Sequence, residues 1–142
     1  IRVANAEDVY DALPGGWQGL LDERGRGLSG GQRQRVVLAR ALAVDAPIMV
    51  LVEPTSAVDA HTEARIAERV AAVRRGRTTV VTTVSPLWLH HADRVVLFED
   101  GKATDDGTHE QLLSDSPAYR RVVARSMDAP VEEVSGHEHT HV

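Results

Sequence analysis

A strand pattern, a helix pattern and a second strand pattern follow one another in this chain, and their order constrains the fold more than any other feature. The strand patterns are Ile48–Val52 and residues 78–84, both rich in β-branched side chains. Between them, residues 61–75 form a helical pattern whose apolar face consists of Ile66, Val70 and Val73. This order predicts a right-handed crossover in a parallel sheet, and the continuous apolar run Ile48–Val52 predicts that the first strand is buried on both faces. The predicted fold class is therefore α/β.

Further elements are predicted on both sides of this unit. Asp100 and Gly101 stand between two strand patterns, residues 95–99 and 102–104, and are a strong signal for a two-residue hairpin turn. Helices are predicted at residues 5–13, from Gly30 to just before Asp45, and at 86–91, 110–113 and 118–125, with a connecting loop at 17–26.

The last residues, 128–142, are polar and lack apolar periodicity, so we expect a disordered tail. Alternating histidines in this tail, His137, His139 and His141, are of a type that binds transition metals. A metal site requires fixed geometry and supporting hydrogen bonds. A solvated tail is therefore the favoured interpretation, and no metal ligand is predicted.

The composition excludes several classes of protein. There is no cysteine among the 142 residues, so a disulfide framework is excluded. The net charge of −5 gives no general attraction to nucleic acid, and the local cluster of Arg33, Arg35 and Arg40 is interpreted as a solvated helix face. No stretch approaches the ~20 apolar residues of a membrane span, and no leader pattern follows Ile1. We therefore expect this segment itself to be soluble and exposed to the cytosol.

The segment Ser29-Gly30-Gly31 opens a predicted helix and has the features of a phosphate-binding site. Glycines allow backbone N–H groups to approach an anion closely, and the first turn of a helix has unpaired donors and a positive dipole end. Ser29 adds a hydroxyl donor. The alternative interpretation is a serine N-cap followed by a flexible glycine pair, and these three residues alone do not decide between the two.

The wider sequence resembles the ABC-type ATPases. LSGGQRQR at residues 28–35 is similar to their signature motif, and residues 48–59 are similar to their Walker B strand and D-loop. Residues 78–84 resemble the strand before the family's switch histidine, and residues 92–110 resemble the close of the domain. The blocks LPGG and GTHEQLL look most like exporters, in which this domain is fused to a membrane domain. The resemblance extends roughly from residue 13 to 125.

The resemblance implies part of a P-loop NTPase fold, with a RecA-like core around a parallel sheet and the signature-bearing part of a helical subdomain. Residues 1–127 would form the C-terminal part of the ATP-binding domain, with residues 1–45 in the helical subdomain and residues 46–127 in the core. No GxxxxGK[ST] phosphate loop occurs in the sequence. We therefore expect a portion of a larger polypeptide.

The resemblance also implies a damaged nucleotide site of the chain's own. Glu53 occupies the position of the glutamate that polarises the attacking water, and is the predicted catalytic residue. Val52 stands where the family has an aspartate that orients Mg²⁺, and Val84 stands where it has the switch histidine. Acid–base groups typically contribute ~10²–10⁴-fold to a rate. Hydrolysis at this site is therefore expected to be poor.

The intact signature and D-loop imply instead that this chain completes a partner's ATP site. In the family, two ATP-binding domains face each other head to tail, and each contributes its signature to the other's nucleotide. The predicted contacts are Leu28, Ser29, Gly30, Gly31 and Gln32, with Ala57 and Asp59 at the dimer seam. The expected partners are a different, complete ATP-binding chain and a transmembrane domain, at the cytoplasmic face of a membrane, with ATP and Mg²⁺.

Two other functions fit the same residues. One is a regulatory half that responds to nucleotide and never hydrolyses it. The other is an ABC-type ATPase without a membrane domain, serving DNA repair or translation, against which the exporter-like LPGG and GTHEQLL blocks argue.

Overall fold

The computed structural model describes residues 1–13, 15–18 and 27–128. In chain order its elements are α1 (Glu7–Ala12), a 3₁₀ helix (Gly16–Gln18), α2 (Gly30–Ala43), β1 (Ile48–Val52), α3 (Ala60–Val73), β2 (Thr78–Thr82), α4 (Pro86–Leu89), β3 (Val95–Glu99), β4 (Lys102–Gly107), α5 (His109–Asp115) and α6 (Pro117–Asp128). The predicted tail beyond Asp128, with its three histidines, and most of the predicted loop at 17–26 lie outside the described residues. No helix in the described ranges is long and apolar enough to cross a membrane.

Strands β1 and β2 pair in parallel, from Ile48 opposite Thr78 to Val52 opposite Thr82, which confirms the predicted parallel crossover. The predicted burial on both faces of β1 is wrong for the described residues. Side chains alternate across a strand, and only the face with Met49 and Leu51 packs against helices. The opposite face is apolar and exposed, and consists of Ile48, Val50, Val52 and Val80.

The first core cluster lies between this sheet and the helices α1, α2, α3 and α4. Its buried members are Ala4, Ala6, Val9, Leu28, Leu38, Ala39, Met49, Leu51, Ile66, Ala67, Val70 and Trp88. They come from both sides of the predicted subdomain boundary at residue 45. Val73, predicted to face inward, is 54% exposed. The buried face of α3 runs through Ala67 and Val70 to the buried Arg74, and at 100° per residue this leaves Val73 at its edge.

Arg74 fastens the end of α3 to the start of the sheet. The side chain is buried, and its guanidinium donates to the carbonyl oxygens of Ala46 at 2.6 Å and Thr78 at 2.9 Å and to Thr79 Oγ1 at 3.1 Å. Carbonyl acceptors on the segments that lead into both strands thus stabilise a buried cation. This contact fixes one end of the β1–α3–β2 unit.

The remainder of the chain forms a hairpin with two helices packed on it. Strands β3 and β4 are antiparallel, and the turn residues Asp100 and Gly101 have φ values of 47° and 75°. Positive φ at both turn positions is typical of a type I′ hairpin, which confirms the prediction from the Asp-Gly pair. A second core cluster holds this unit together and consists of Val95, Leu97, Leu112, Tyr119 and Val123.

Candidate functional site

The signature segment, residues 28–32, begins helix α2 with a capping box. Ser29 Oγ accepts a hydrogen bond from the backbone N–H of Gln32 at 3.1 Å, and Gln32 Oε1 accepts from the backbone N–H of Ser29 at 2.9 Å. Ser29 is therefore an N-cap, as one of the two interpretations held. A hydroxyl that accepts in this way still carries its own proton to donate. Because Ser29 is exposed, capping is compatible with donation to an anion.

The two glycines supply backbone donors at the positive end of α2. The first hydrogen bond within the helix runs from the N–H of Arg33 to the carbonyl oxygen of Ser29 at 2.9 Å. The amides of Gly30 and Gly31 precede it and have no acceptor one turn back in the helix. Leu28, by contrast, has a buried side chain in the first core cluster. Any nucleotide contact by Leu28 would therefore fall to its backbone.

Gly31 has a packing role that the sequence did not indicate. A Cβ at Gly31 would lie 2.7 Å from the carbonyl oxygen of Ala57, whereas a Cβ at Gly30 would lie 3.5 Å from Ala57 Cβ, an ordinary contact. Only glycine allows α2 to approach the β1–α3 loop, residues 53–59, this closely. The signature segment and this loop are therefore packed as one unit.

Gln34 joins the same two segments by hydrogen bonds and was not predicted as a site residue. Its Nε2 donates to Ser56 Oγ at 2.7 Å, and its Oε1 accepts from the backbone N–H of Ala57 at 2.8 Å. Gln34 lies three residues after Gly31, on the same helical face. That spacing places Gln34 beside Gly31, but the sequence of α2 carries no signal for its contacts with the loop.

Glu53 is the first residue of the β1–α3 loop and has an unusual backbone conformation. Its N–H donates to the carbonyl oxygen of Thr82 at 2.9 Å, which continues the sheet ladder by one bond. Its φ is 43°, a left-handed value that costs a residue with a Cβ about 1–2 kcal/mol. The side chain is exposed at the carboxyl end of β1, where ligands of parallel sheets bind. Such strain is a feature that often accompanies functional positions.

Asp59, at the other end of this loop, is the N-cap of α3. Its Oδ1 accepts from the backbone N–H of Thr62 at 2.9 Å. This hydrogen bond is the main reason that the pKa of the Asp59 carboxyl lies below its ordinary value. Asp59 remains exposed while it caps α3.

Two of the three arginines in the predicted cluster on α2, Arg33 and Arg35, make contacts within the chain. Arg35 Nη2 donates to Asp8 Oδ2 at 2.9 Å, and only 12% of the Arg35 side chain is exposed. This bond lowers the pKa of Asp8. Arg33 Nη1 donates to the carbonyl oxygen of Leu28 at 2.7 Å. Arg35 thus fastens α1 to α2 and is not an anion ligand.

Comparisons of the sequence and the fold with known proteins identify the family of this chain. The sequence model of the ABC transporter family matches residues 6–56. An ATP-dependent lipid A-core flippase of Alkalilimnicola ehrlichii is 44% identical over 83% of this chain and 20% of that protein, and the ABC multidrug transporter mdr4 of Aspergillus fumigatus is 45% identical over 86% and 9%. The solved structure of a bacterial Atm1-family ABC exporter with ATP bound matches with a TM-score of 0.78 and 33% identity, over 87% of this chain and 22% of that one. This chain belongs to the ATP-binding domains of ABC transporters of the exporter type.

The chain spans about a fifth or less of the length of these relatives. The family assignment confirms the fold class that the motifs implied. Domains of this family bind ATP, generally with Mg²⁺. The predicted nucleotide contacts, including Leu28, Ser29 and Asp59, remain predictions about this ABC domain.

The residues of this ABC domain do not fit an Mg²⁺ site built by the described chain alone. Mg²⁺ requires oxygen ligands. The side chain of Val52, 71% exposed at the end of β1, offers none, and Val84 likewise has an exposed apolar side chain after β2. Within the described ranges, no group of three or more acidic, histidine or cysteine side chains is arranged to hold a metal. We therefore assign no catalytic step to a metal bound by this chain.

Proposed function

We propose that this chain acts in an ABC exporter as the half that contributes its signature segment to ATP held by a partner domain. The observation that carries the proposal is the start of α2, where the exposed Ser29 and the amides of Gly30 and Gly31 converge at a positive helix end. Close packing against Ala57 holds these donors at a fixed place. Preorganised donors of this kind stabilise charge on a transferring phosphoryl group.

Hydrolysis, on this proposal, takes place mainly at the site whose signature this chain supplies. At the chain's own site, Glu53 would accept a proton from the attacking water, but Val52 and Val84 offer no polar side chain beside it. An asymmetric pair follows, in which the partner is a different ATP-binding chain that carries the complete set of residues. Asp59 would lie at the seam between the two domains, next to the N-terminus of α3.

ATP binding and hydrolysis in this pair would drive transport through a transmembrane domain, with the ATP-binding halves on the cytoplasmic face. The similar proteins are named for lipid A-core and for multidrug transport, and the similar solved exporter has ATP bound. The two names differ in substrate, so the proposal extends to ATP-driven export and not to one transported molecule.

The test is the substitution Ser29→Asp in the assembled transporter. Aspartate is as good an N-cap as serine, so α2 keeps its cap, but a carboxylate repels phosphate and has no proton to donate. We expect ATP turnover to fall on the order of 10²-fold, as when one preorganised donor is removed from other active sites. The matched control is Thr108→Asp. Thr108 caps α5 with the same kind of capping box, in the part of the chain formed by β3, β4, α5 and α6. Equal turnover in the two variants would reject the proposal.

A regulatory half that binds nucleotide without supporting turnover is the second candidate, favoured by Val52 and Val84. It predicts that Ser29→Asp weakens ATP binding while the turnover of the assembled pair stays unchanged. Measuring both quantities on the same preparation separates the two functions.

A further inference from the structure

Two successive hydrogen bonds, centred on the buried Thr55, support the β1–α3 loop. Trp88 Nε1 donates to Thr55 Oγ1 at 2.8 Å, and Thr55 Oγ1 donates to Glu63 Oε1 at 2.8 Å. Thr55 is 4% exposed and Trp88 is 6% exposed. Trp88 is also a member of the first core cluster. The structure gives its indole N–H a specific acceptor in the loop.

The chain of bonds joins three elements that are separate in the sequence. Trp88 lies in α4, whose N-cap Ser85 accepts from the N–H of Leu87 at 3.3 Å, so the short helix has a defined start. Glu63 lies in the first turn of α3. Thr55 connects the two from the middle of the β1–α3 loop. A shift of α4 would therefore be transmitted to this loop through one hydroxyl group.

The donor and acceptor groups give this series of hydrogen bonds a single direction. The indole is only a donor, the carboxylate is only an acceptor, and the threonine hydroxyl fills both roles between them. A phenylalanine at position 88 would keep the ring in the core but would lose the donor. In a buried setting such a bond is strengthened by the low local dielectric, and its partners are costly to leave unpaired.

The next residues of the loop carry the contacts to the signature helix. Ser56 and Ala57 follow Thr55 directly and receive or make the hydrogen bonds with Gln34. The carbonyl oxygen of Ala57 is also the group that excludes any side chain at Gly31. The loop is thus held by α2 through Ser56 and Ala57, and by Trp88 and Glu63 through Thr55.

We infer that Trp88, acting through Thr55, is a positioning residue for the signature segment. This rests on the proposed function, because it assumes that the signature segment must be held in place for ATP turnover. Without the indole hydrogen bond, Ser56 and Ala57 would keep the contact with Gln34 but lose the support from Trp88 through Thr55. The donors at the start of α2 would then no longer be held in a fixed position. Misplacement by about 1 Å can cost on the order of 10²-fold in rate.

The first experiment is hydrogen–deuterium exchange on the purified protein without nucleotide, and it does not depend on ATPase function. Trp88→Phe and Thr55→Val should speed exchange of the amides of Glu53 and residues 55–58, while Thr55→Ser, which keeps the hydroxyl, should preserve the slow exchange. The matched control is Tyr119→Phe, which removes the buried Tyr119 Oη to His109 Nδ1 hydrogen bond of 2.7 Å in the second core cluster. Unchanged exchange at residues 53–58 in Trp88→Phe would overturn the inference.

The second experiment is steady-state ATP turnover of the assembled transporter with the same variants. Trp88→Phe should lower kcat on the order of 10-fold with KM unchanged, and Tyr119→Phe should leave both unchanged. Trp88→Phe combined with Thr55→Val should be no worse than Thr55→Val alone, because both remove the same bond. A kcat equal to wild type in Trp88→Phe would overturn the inference. If the wild-type assembly has no turnover, the proposed function fails, and the exchange experiment still decides whether Trp88 positions the loop.

Discussion

The carbonyl oxygen of Ala57 occupies the space that a side chain at Gly31 would need, 2.7 Å from the position of its Cβ. The same distance test at Gly30 gives an ordinary 3.5 Å contact. Adjacent glycines of one motif are therefore under different constraints. Gly31 is required by packing as well as by any phosphate contact, whereas Gly30 is free of close contact with the loop backbone.

We expect Gly31→Ala to lower the free energy of unfolding by about 1–3 kcal/mol, because the added methyl group forces α2 and the β1–α3 loop apart. Gly30→Ala, the matched control, should be neutral or stabilise by up to about 1 kcal/mol, since alanine favours the helix. Urea denaturation of both variants measures the difference. Equal losses at the two positions would show that α2 and the loop do not pack this closely.

The left-handed backbone at Glu53 predicts that glycine at this position makes the protein more stable. Glu53→Gly should raise the free energy of unfolding by about 1 kcal/mol, because glycine adopts a φ of 43° without the Cβ penalty. Glu53→Ala keeps the penalty and serves as the control, so it should give no such gain. Thermal denaturation of the two variants measures the effect. A glycine variant no more stable than the alanine variant would contradict a strained residue at position 53.

The N-cap carboxylate of Asp59 predicts sensitivity to acid. Its pKa is lowered in the folded state by the hydrogen bond from Thr62, so its contribution is present above the unfolded pKa of about 4 and is lost as the pH falls through the lower folded value. Asp59→Asn keeps an N-cap but cannot titrate. Between about pH 5 and pH 3, this variant should therefore lose less stability than wild type, as measured by chemical denaturation at each pH. A parallel decline in both proteins would argue against this assignment.

The open face of the β1–β2 sheet predicts self-association of the 142-residue chain on its own. Val50, at its centre, is 62% exposed, and parallel strands are normally covered on both faces. Val50→Lys should shift the chain toward monomer in sedimentation velocity. Val37→Lys is the matched control, because Val37 is 66% exposed on α2, away from this face. Monomeric wild-type chain at micromolar concentration would contradict the prediction.

Local patterns predicted the elements well because their causes are local. The Asp-Gly pair set the hairpin turn, and the apolar periodicity of residues 61–75 set α3 to within a few residues. Ser29 followed by Gln32 three residues later is a capping-box pattern, so the start of α2 was also readable. Asp59 before α3 is a simple N-cap, a second local signal for the start of a helix.

Burial and long-range contacts could not be predicted from the same patterns. An apolar strand such as β1 indicates burial, but which of its faces is covered depends on the layers that pack on it. The contacts of Gln34 and Trp88 join residues that lie 22 and 33 positions apart. Such pairs depend on the folded arrangement, and no spacing rule within one element reveals them.

The most direct test of the central claim compares Ser29→Asp with Glu53→Gln, each introduced only into this chain of the assembled transporter. Ser29 would serve the partner's site, and Glu53 would serve this chain's own weak site. We expect Ser29→Asp to reduce ATP turnover on the order of 10²-fold and Glu53→Gln to change it by less than about threefold. A large loss with Glu53→Gln and a small one with Ser29→Asp would contradict the donated-signature function.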